Sequence, residues 1–179
     1  MKLKFFLLLF GILFSLINIQ AQESTKIIGC DKAFTEKHFI RWLEREVFYI
    51  ITKNEKETFL SLKTCEDRYQ FVVNFWQRRD PTPNTEANEF RDEYYQRMAY
   101  ANEHFARALQ GWKTDRGKIH ILYGKPDKIE KGRHEFEGNE NVQFEKWYYK
   151  NVDTINSVKH FTFIDPTKSQ EFRLIKDNQ

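Results

Sequence analysis

Thr114-Asp115-Arg116-Gly117-Lys118-Ile119-His120-Ile121-Leu122-Tyr123-Gly124-Lys125-Pro126 is the stretch at which the hydrophobic period of this chain changes. Read as a strand, Ile119, Ile121 and Tyr123 alternate; read as a helix, Ile119, Leu122 and Tyr123 share a face. The punctuation favours the helix. Thr114 is a capping residue, Gly124 stands just past the end and Pro126 lies beyond it, so the sequence predicts a short helix over 114–124. The chain reads as helix on the N-terminal side of this joint and as strand on its C-terminal side, which predicts an α+β fold.

Upstream, Phe39, Leu43, Val47, Ile50 and Ile51 fall on one stripe and predict a helix over 35–53, broken at Lys53-Asn54. A short helical stretch comes next, around Phe59, Leu60 and Leu62. Thr64 with Asp67 three residues on forms a cap for the next helix, where Tyr69, Val72, Val73 and Trp76 recur at i, i+3, i+4 and i+7. Asp80-Pro81 ends it, because the residue before a proline is pushed out of the α region. Pro81-Thr82-Pro83-Asn84-Thr85 is a loop with Thr85 as the following cap. Phe90, Tyr94, Met98, Ala101, Phe105 and Leu109 then predict one long helix over about 85–110, closed at Gly111. Glu93–Arg97 and Glu103–Arg107 are its i,i+4 ion pairs.

Downstream, the aromatic and branched runs 127–131, 144–149, 158–164 and 171–175 read as strands. The turn-forming segments 151–156 and 165–169 separate the last three. Connections this short imply antiparallel neighbours, hence a meander of three to four strands. A chain of 179 residues suits one domain, here 35–179. With 31% charged and 40% hydrophobic residues it is neither disordered nor membrane-spanning in composition, and two cysteines exclude a disulfide-dense miniprotein.

Lys2 and Lys4 precede an uncharged run from Phe5 to Ile17, and Ala21 ends the polar segment behind it. This is the pattern of a signal peptide over 1–21 with cleavage after Ala21, leaving 22–34 as an N-terminal extension. The protein is therefore expected to be exported, periplasmic or secreted, with no transmembrane span in the mature chain. Cleavage removes two lysines and leaves 27 basic against 26 acidic side chains. That near-balance argues against nucleic acid as a partner, which calls for a basic stripe. Ile27-Ile28-Gly29-Cys30 resembles a lipoprotein box, so lipid anchoring at Cys30 is one alternative, a Cys30–Cys65 disulfide a second and two free thiols a third.

Three ordered blocks carry a resemblance. Phe75-Trp76-Gln77-Arg78-Arg79-Asp80-Pro81-Thr82-Pro83 leads to Asn88-Glu89; Tyr100-Ala101-Asn102 comes second, with Phe105; third are Gly111-Trp112-Lys113-Thr114-Asp115-Arg116-Gly117 and Tyr123-Gly124-Lys125-Pro126-Asp127. From about Trp42 to Asp127 the chain resembles the GWxTD domain family of exported bacterial proteins. The resemblance implies export and a shared fold, and brings no catalytic residues with it.

Trp76, Arg78, Arg79, Asp80, Glu89, Glu93, Trp112, Thr114, Asp115 and Arg116 are the candidate binding cluster. Placed between the 81–85 loop and the 114–117 turn, they read either as a polar site or as an arginine–carboxylate network pinning that loop to the long helix. Trp112 is expected against Phe105 or Leu109, with Asp115 and Arg116 paired to residues of 78–80 or 89–93. The five histidines (His38, His104, His120, His134, His160) show no metal spacing, and no Gly-x-Ser-x-Gly elbow or phosphate loop occurs. No metal, cofactor or catalytic residue is expected. The leading reading is a non-enzymatic envelope module that binds an envelope protein. The alternative is an envelope hydrolase or a glycan- or peptide-binding enzyme working through Asp80, Glu89 and Asp115.

Overall fold

The computed structural model describes residues 36–136, 138–150 and 157–175. The expected signal peptide, its cleavage point, the 22–34 extension, Cys30 and the 151–156 turn lie outside them. Among the described residues, five helices precede a four-stranded antiparallel sheet, an α+β fold. The described chain forms two compact units, one made of 36–48 and 52–73, the other of 49–51 and 74–175.

The first unit is built on aromatic contacts. Helix α1 (Glu36–Arg41) runs into a π-helical turn, Trp42–Glu46, closed by Val47 N–H donating to the Trp42 carbonyl at 3.0 Å. That extra residue in the turn ends the helix at Glu46, short of the expected 53. Lys53-Asn54 is no break but the first turn of α2 (Lys53–Ser61), opened by a reciprocal cap. Glu55 N–H donates to Thr52 Oγ1 at 3.2 Å and Thr52 N–H to Glu55 Oε2 at 3.0 Å. The rings of Phe39, Trp42 and Phe71 gather on Phe59 at 6.0, 5.1 and 5.4 Å between centroids. Helix α3 (Cys65–Gln77) opens on the expected cap, Asp67 N–H donating to Thr64 Oγ1 at 3.1 Å, and Cys65 is disulfide-bonded.

In the second unit the long helix α4 runs Glu89–His104, shorter than expected at both ends. Asn88, not Thr85, is its cap. The buried Asn88 amide accepts from Arg91 N–H at 2.8 Å and donates to the Trp76 carbonyl at 2.8 Å, so both ends of the side chain are satisfied. Thr85 instead bonds within its own loop, to the Thr82 carbonyl at 2.9 Å. At the other end the chain leaves the helix at Phe105, whose ring enters the sheet core 5.6 Å from Trp147. The Glu93–Arg97 pair forms; Arg107 turns instead to Gln170.

Helix α5 (Asp115–Tyr123) settles the ambiguous joint as a helix. Thr114 Oγ1 accepts from Gly117 N–H at 3.0 Å, and Gly124 ends it at φ 77, ψ −156, a conformation essentially restricted to glycine. Strands β1 (Lys128–Phe136), β2 (Asn139–Lys150), β3 (Val158–Asp165) and β4 (Arg173–Ile175) lie in sequential antiparallel order. β1 and β2 are longer than their hydrophobic runs, and where β1 passes beyond its run the Phe144 ring lies across Gly132, its cross-strand partner; a Cβ there would stand 2.6 Å from Phe144 Cε1. Trp147, Tyr149 and Phe163 on one face of the sheet form a core with Ile119 of α5, flanked by Phe105, Tyr123, Phe161 and Phe172.

His120, on α5 beside this core and 7% exposed, is stacked 4.4 Å from the Tyr100 ring. Burial, with Arg97 and His104 nearby, pushes its pKa down to about 4. The unfolded chain therefore takes up a proton below about pH 6.5 that the folded one refuses, so this contribution is complete above that pH and lost as pH falls toward 4. Urea melts across that window should show a decline of up to about 3 kcal/mol that is missing in His120→Phe. An identical pH profile in the variant would refute it.

Candidate functional site

The candidate residues sort into two separate places. At the start of α4, Trp76 is buried under Tyr95, Tyr94 and Phe90, at 5.4, 5.9 and 6.5 Å, and is core rather than groove. Arg79 stacks 3.7 Å over the Phe75 ring and donates to the carbonyls of Phe75 at 3.0 Å and Ile50 at 3.3 Å. Arg78 is exposed. Asp80 Oδ1 accepts from Thr82 N–H at 3.0 Å, and Thr82 Oγ1 donates to Glu89 Oε2 at 2.6 Å. That hydroxyl holds the exposed Glu89 carboxyl below its ordinary range. A general acid needs the opposite, a desolvated carboxyl raised toward neutrality. Glu93 pairs with Arg97, whose guanidinium also reaches the Leu122 carbonyl at 3.4 Å.

The second place is the knot around Gly111, which lies in a 3₁₀ turn (Gly111–Lys113) and is buried. A Cβ on Gly111 would stand 1.9 Å from the Ala101 carbonyl oxygen, and one on Gly117 would stand 1.9 Å from the Gly111 carbonyl oxygen. Backbone thus lies on backbone twice over, α4 on the turn and the turn on α5. The hydrogen bonds lock this stack. Trp112 N–H donates to Asn102 Oδ1 at 3.1 Å, Thr114 Oγ1 donates to the Gly111 carbonyl at 2.7 Å, and Tyr49 OH donates to the Trp112 carbonyl at 2.8 Å. The Trp112 ring, 6% exposed, meets Tyr49 edge-on at 6.2 Å.

Asp115 and Arg116 do not pair with 78–80 or 89–93. Twelve residues of helix separate Glu89 from Ala101, about 18 Å along the axis. Asp115 Oδ2 instead accepts from Leu174 N–H at 2.8 Å, fastening β4 to α5. Arg116, 9% exposed, donates to Glu145 Oε2 at 3.4 Å and to the Gln170 carbonyl at 3.1 Å, stacked 4.2 Å from the Phe172 ring. Burial pushes its pKa down while Glu145 props it up. For Glu145, burial alone would raise the carboxyl, but Lys131, Arg116 and the Trp147 indole together hold it low.

Sequence reasoning missed a third place, on the sheet face away from Trp147. The register sets Gly132, Phe144 and Ile164 side by side there. Buried Val142 and Ile164 with half-buried Phe136, Phe144 and Ile175 floor an apolar groove of about 300 Å³, bordered by Arg133, His134 and Lys146. The signal was present in β2, where both alternating sets, Val142-Phe144 and Trp147-Tyr149, carry large apolar residues. Among the described residues no group of three or more His, Cys, Asp or Glu side chains is placed to hold a metal ion.

Gly111→Ala should destabilise the protein by at least about 3 kcal/mol in thermal or urea melts, since a methyl group must displace helix backbone. Gly138→Asn is the reference: nothing lies within 4 Å, φ is +76, and asparagine tolerates that conformation. Equal, small effects of the two substitutions would remove the close approach as a determinant of the fold.

No curated protein and no solved structure matches the chain. The GWxTD domain profile matches residues 12–179, wider than the Trp42–Asp127 stretch whose motif blocks are legible by eye. With its Gly111–Asp115 pattern forming the knot between helices and sheet, the chain belongs to the GWxTD domain family.

Proposed function

We propose that this chain is an exported cell-envelope module that works by binding another protein rather than by catalysis. The observation that carries the reading is the apolar groove on the outer sheet face, whose border is basic and whose lining holds no carboxylate. Burying such a groove is favourable at roughly 25 cal/mol per Å² of apolar surface, and the basic border selects what enters. The partner suited to it is a protein segment with apolar side chains flanked by carboxylates. Export is supported by the Lys2–Ala21 pattern. The hydrolase alternative has less support, because Glu89 is held low in the open and Asp115 is engaged by Leu174 N–H.

Two measurements test this. The mass of the natively produced protein should fit a chain beginning at Gln22; a diacylated chain beginning at Cys30 would contradict that cleavage point. A photo-crosslinking residue placed at His134 or Lys146 in the native host should yield one shared adduct, mapping to an acidic segment with apolar residues. The same probe at Lys118, exposed on α5, should yield none. No adduct from the groove, an equal adduct from Lys118, or a basic partner segment would each overturn the proposal.

A further inference from the structure

A cleft of about 490 Å³ opens where β1 and β2 meet the 165–170 turn, lined by Arg107, Arg116, Lys131, Arg133 and His104 with Glu145 as its one carboxylate. The size falls within the range of small-molecule sites. Its charges do not balance. Four arginine and lysine side chains line it beside Glu145, and buried Asp165 behind the turn is a second carboxylate whose charge acts on Arg116, which leaves a surplus of two positive charges.

The lining carboxylate is also fully engaged. Glu145 Oε1 takes Lys131 at 3.0 Å, while Oε2 takes Arg116 at 3.4 Å and the Trp147 indole N–H at 3.1 Å. The remaining arginine contacts are to neutral oxygens. Arg107 donates to Gln170 Oε1 at 2.9 and 3.2 Å, and Arg116 to the Gln170 backbone carbonyl. Such acceptors fix a guanidinium without cancelling its charge, and the charge of Arg107 lowers the pKa of Arg116, a mark of their mutual repulsion.

The arrangement is held in place before any ligand arrives. Buried Asp165 accepts from the Ser169 and Gln170 N–H groups at 3.1 and 2.8 Å, clamping Gln170 at φ 65 so that its carbonyl meets Arg116. The Arg116 plane is set by stacking on Phe172 at 4.2 Å and Phe105 at 5.1 Å. Fixed guanidinium forks are suited to oxyanions and lose little freedom on binding them.

We infer that this cleft binds a phosphate monoester carried on an organic group. One added carboxylate would offset only one of the two surplus charges, whereas a phosphate monoester brings close to two charges and three acceptor oxygens. The Phe172 ring in the wall gives the organic part an apolar surface. The whole chain carries 29 basic against 26 acidic side chains, a balance that suits a small ligand in one cleft and not a nucleic-acid strand, which calls for a basic stripe.

Calorimetric titration of the purified protein with glucose 6-phosphate tests this, with glucose and inorganic phosphate as comparisons and phosphatidic-acid vesicles against phosphatidylcholine vesicles as the lipid arm. Saturable binding of the sugar phosphate is expected, weakening with salt, at least tenfold tighter than inorganic phosphate and absent for glucose. Arg107→Gln with Lys131→Gln should lower it at least tenfold; neither residue borders the apolar groove of the outer face, so its failure and that of the protein-binding proposal are distinguishable. Lys125→Gln, an exposed charge elsewhere, should leave it unchanged. Binding confined to phosphatidic-acid vesicles, with the same dependence on Arg107 and Lys131, would support the site with a lipid headgroup as the source. No saturable binding in any arm, equal affinity for inorganic phosphate, or equal losses from Lys125→Gln would overturn it.

Discussion

The architecture of the second unit depends on a backbone-to-backbone approach that only glycine allows. At Gly111 the chain comes so close to the Ala101 carbonyl that no side chain fits, and at Gly117 helix α5 approaches Gly111 in the same way. Ala101, fully buried, is the small residue on the α4 side of this contact. Close packing of this kind gains dispersion contacts and removes water from polar backbone. It is tolerable only if every exposed donor and acceptor finds a partner. Asn102, Thr114 and Tyr49 supply those partners for Trp112 N–H, the Gly111 carbonyl and the Trp112 carbonyl.

The four residues Gly111, Trp112, Thr114 and Asp115 of the pattern that names the family thus each have a structural role here. The glycine permits contact, the tryptophan fills the space beside Tyr49, the threonine caps α5 and the aspartate holds β4 by its Leu174 N–H. The consequence for function is spatial. The motif holds helices and sheet together, and the surfaces with unspent chemistry lie on the sheet that it positions. These are an apolar groove with a basic border and a cleft with surplus positive charge.

What the sequence reveals is what local chemistry decides. The 114–124 helix is legible because its cap, its terminal glycine and its following proline all lie within it or beside it. The Thr64–Asp67 cap is legible for the same reason. The end of α4 is not, because the apolar stripe continues through Phe105 and Leu109 after the helix has stopped. Phe105 is drawn into the sheet core, and Leu109 is left 52% exposed. The lengths of β1 and β2 are hidden, and the ring that lies across Gly132 comes from Phe144, twelve positions away. The candidate site is legible as a set of residues but not as a set of pairs. Asp115 and Arg116 find their partners at Leu174, Glu145 and Gln170, and no spacing rule reaches across 29 to 59 residues.

Amide hydrogen exchange tests the central claim most directly. If the Gly111 knot holds helices and sheet together, the N–H groups of Trp112, Gly117 and Leu174 open only when the unit unfolds. They should then exchange at the same slow, globally limited rate as the Trp147 and Phe163 amides of the core. Exchange of the three knot amides by local opening, orders of magnitude faster than the sheet core, would contradict the account.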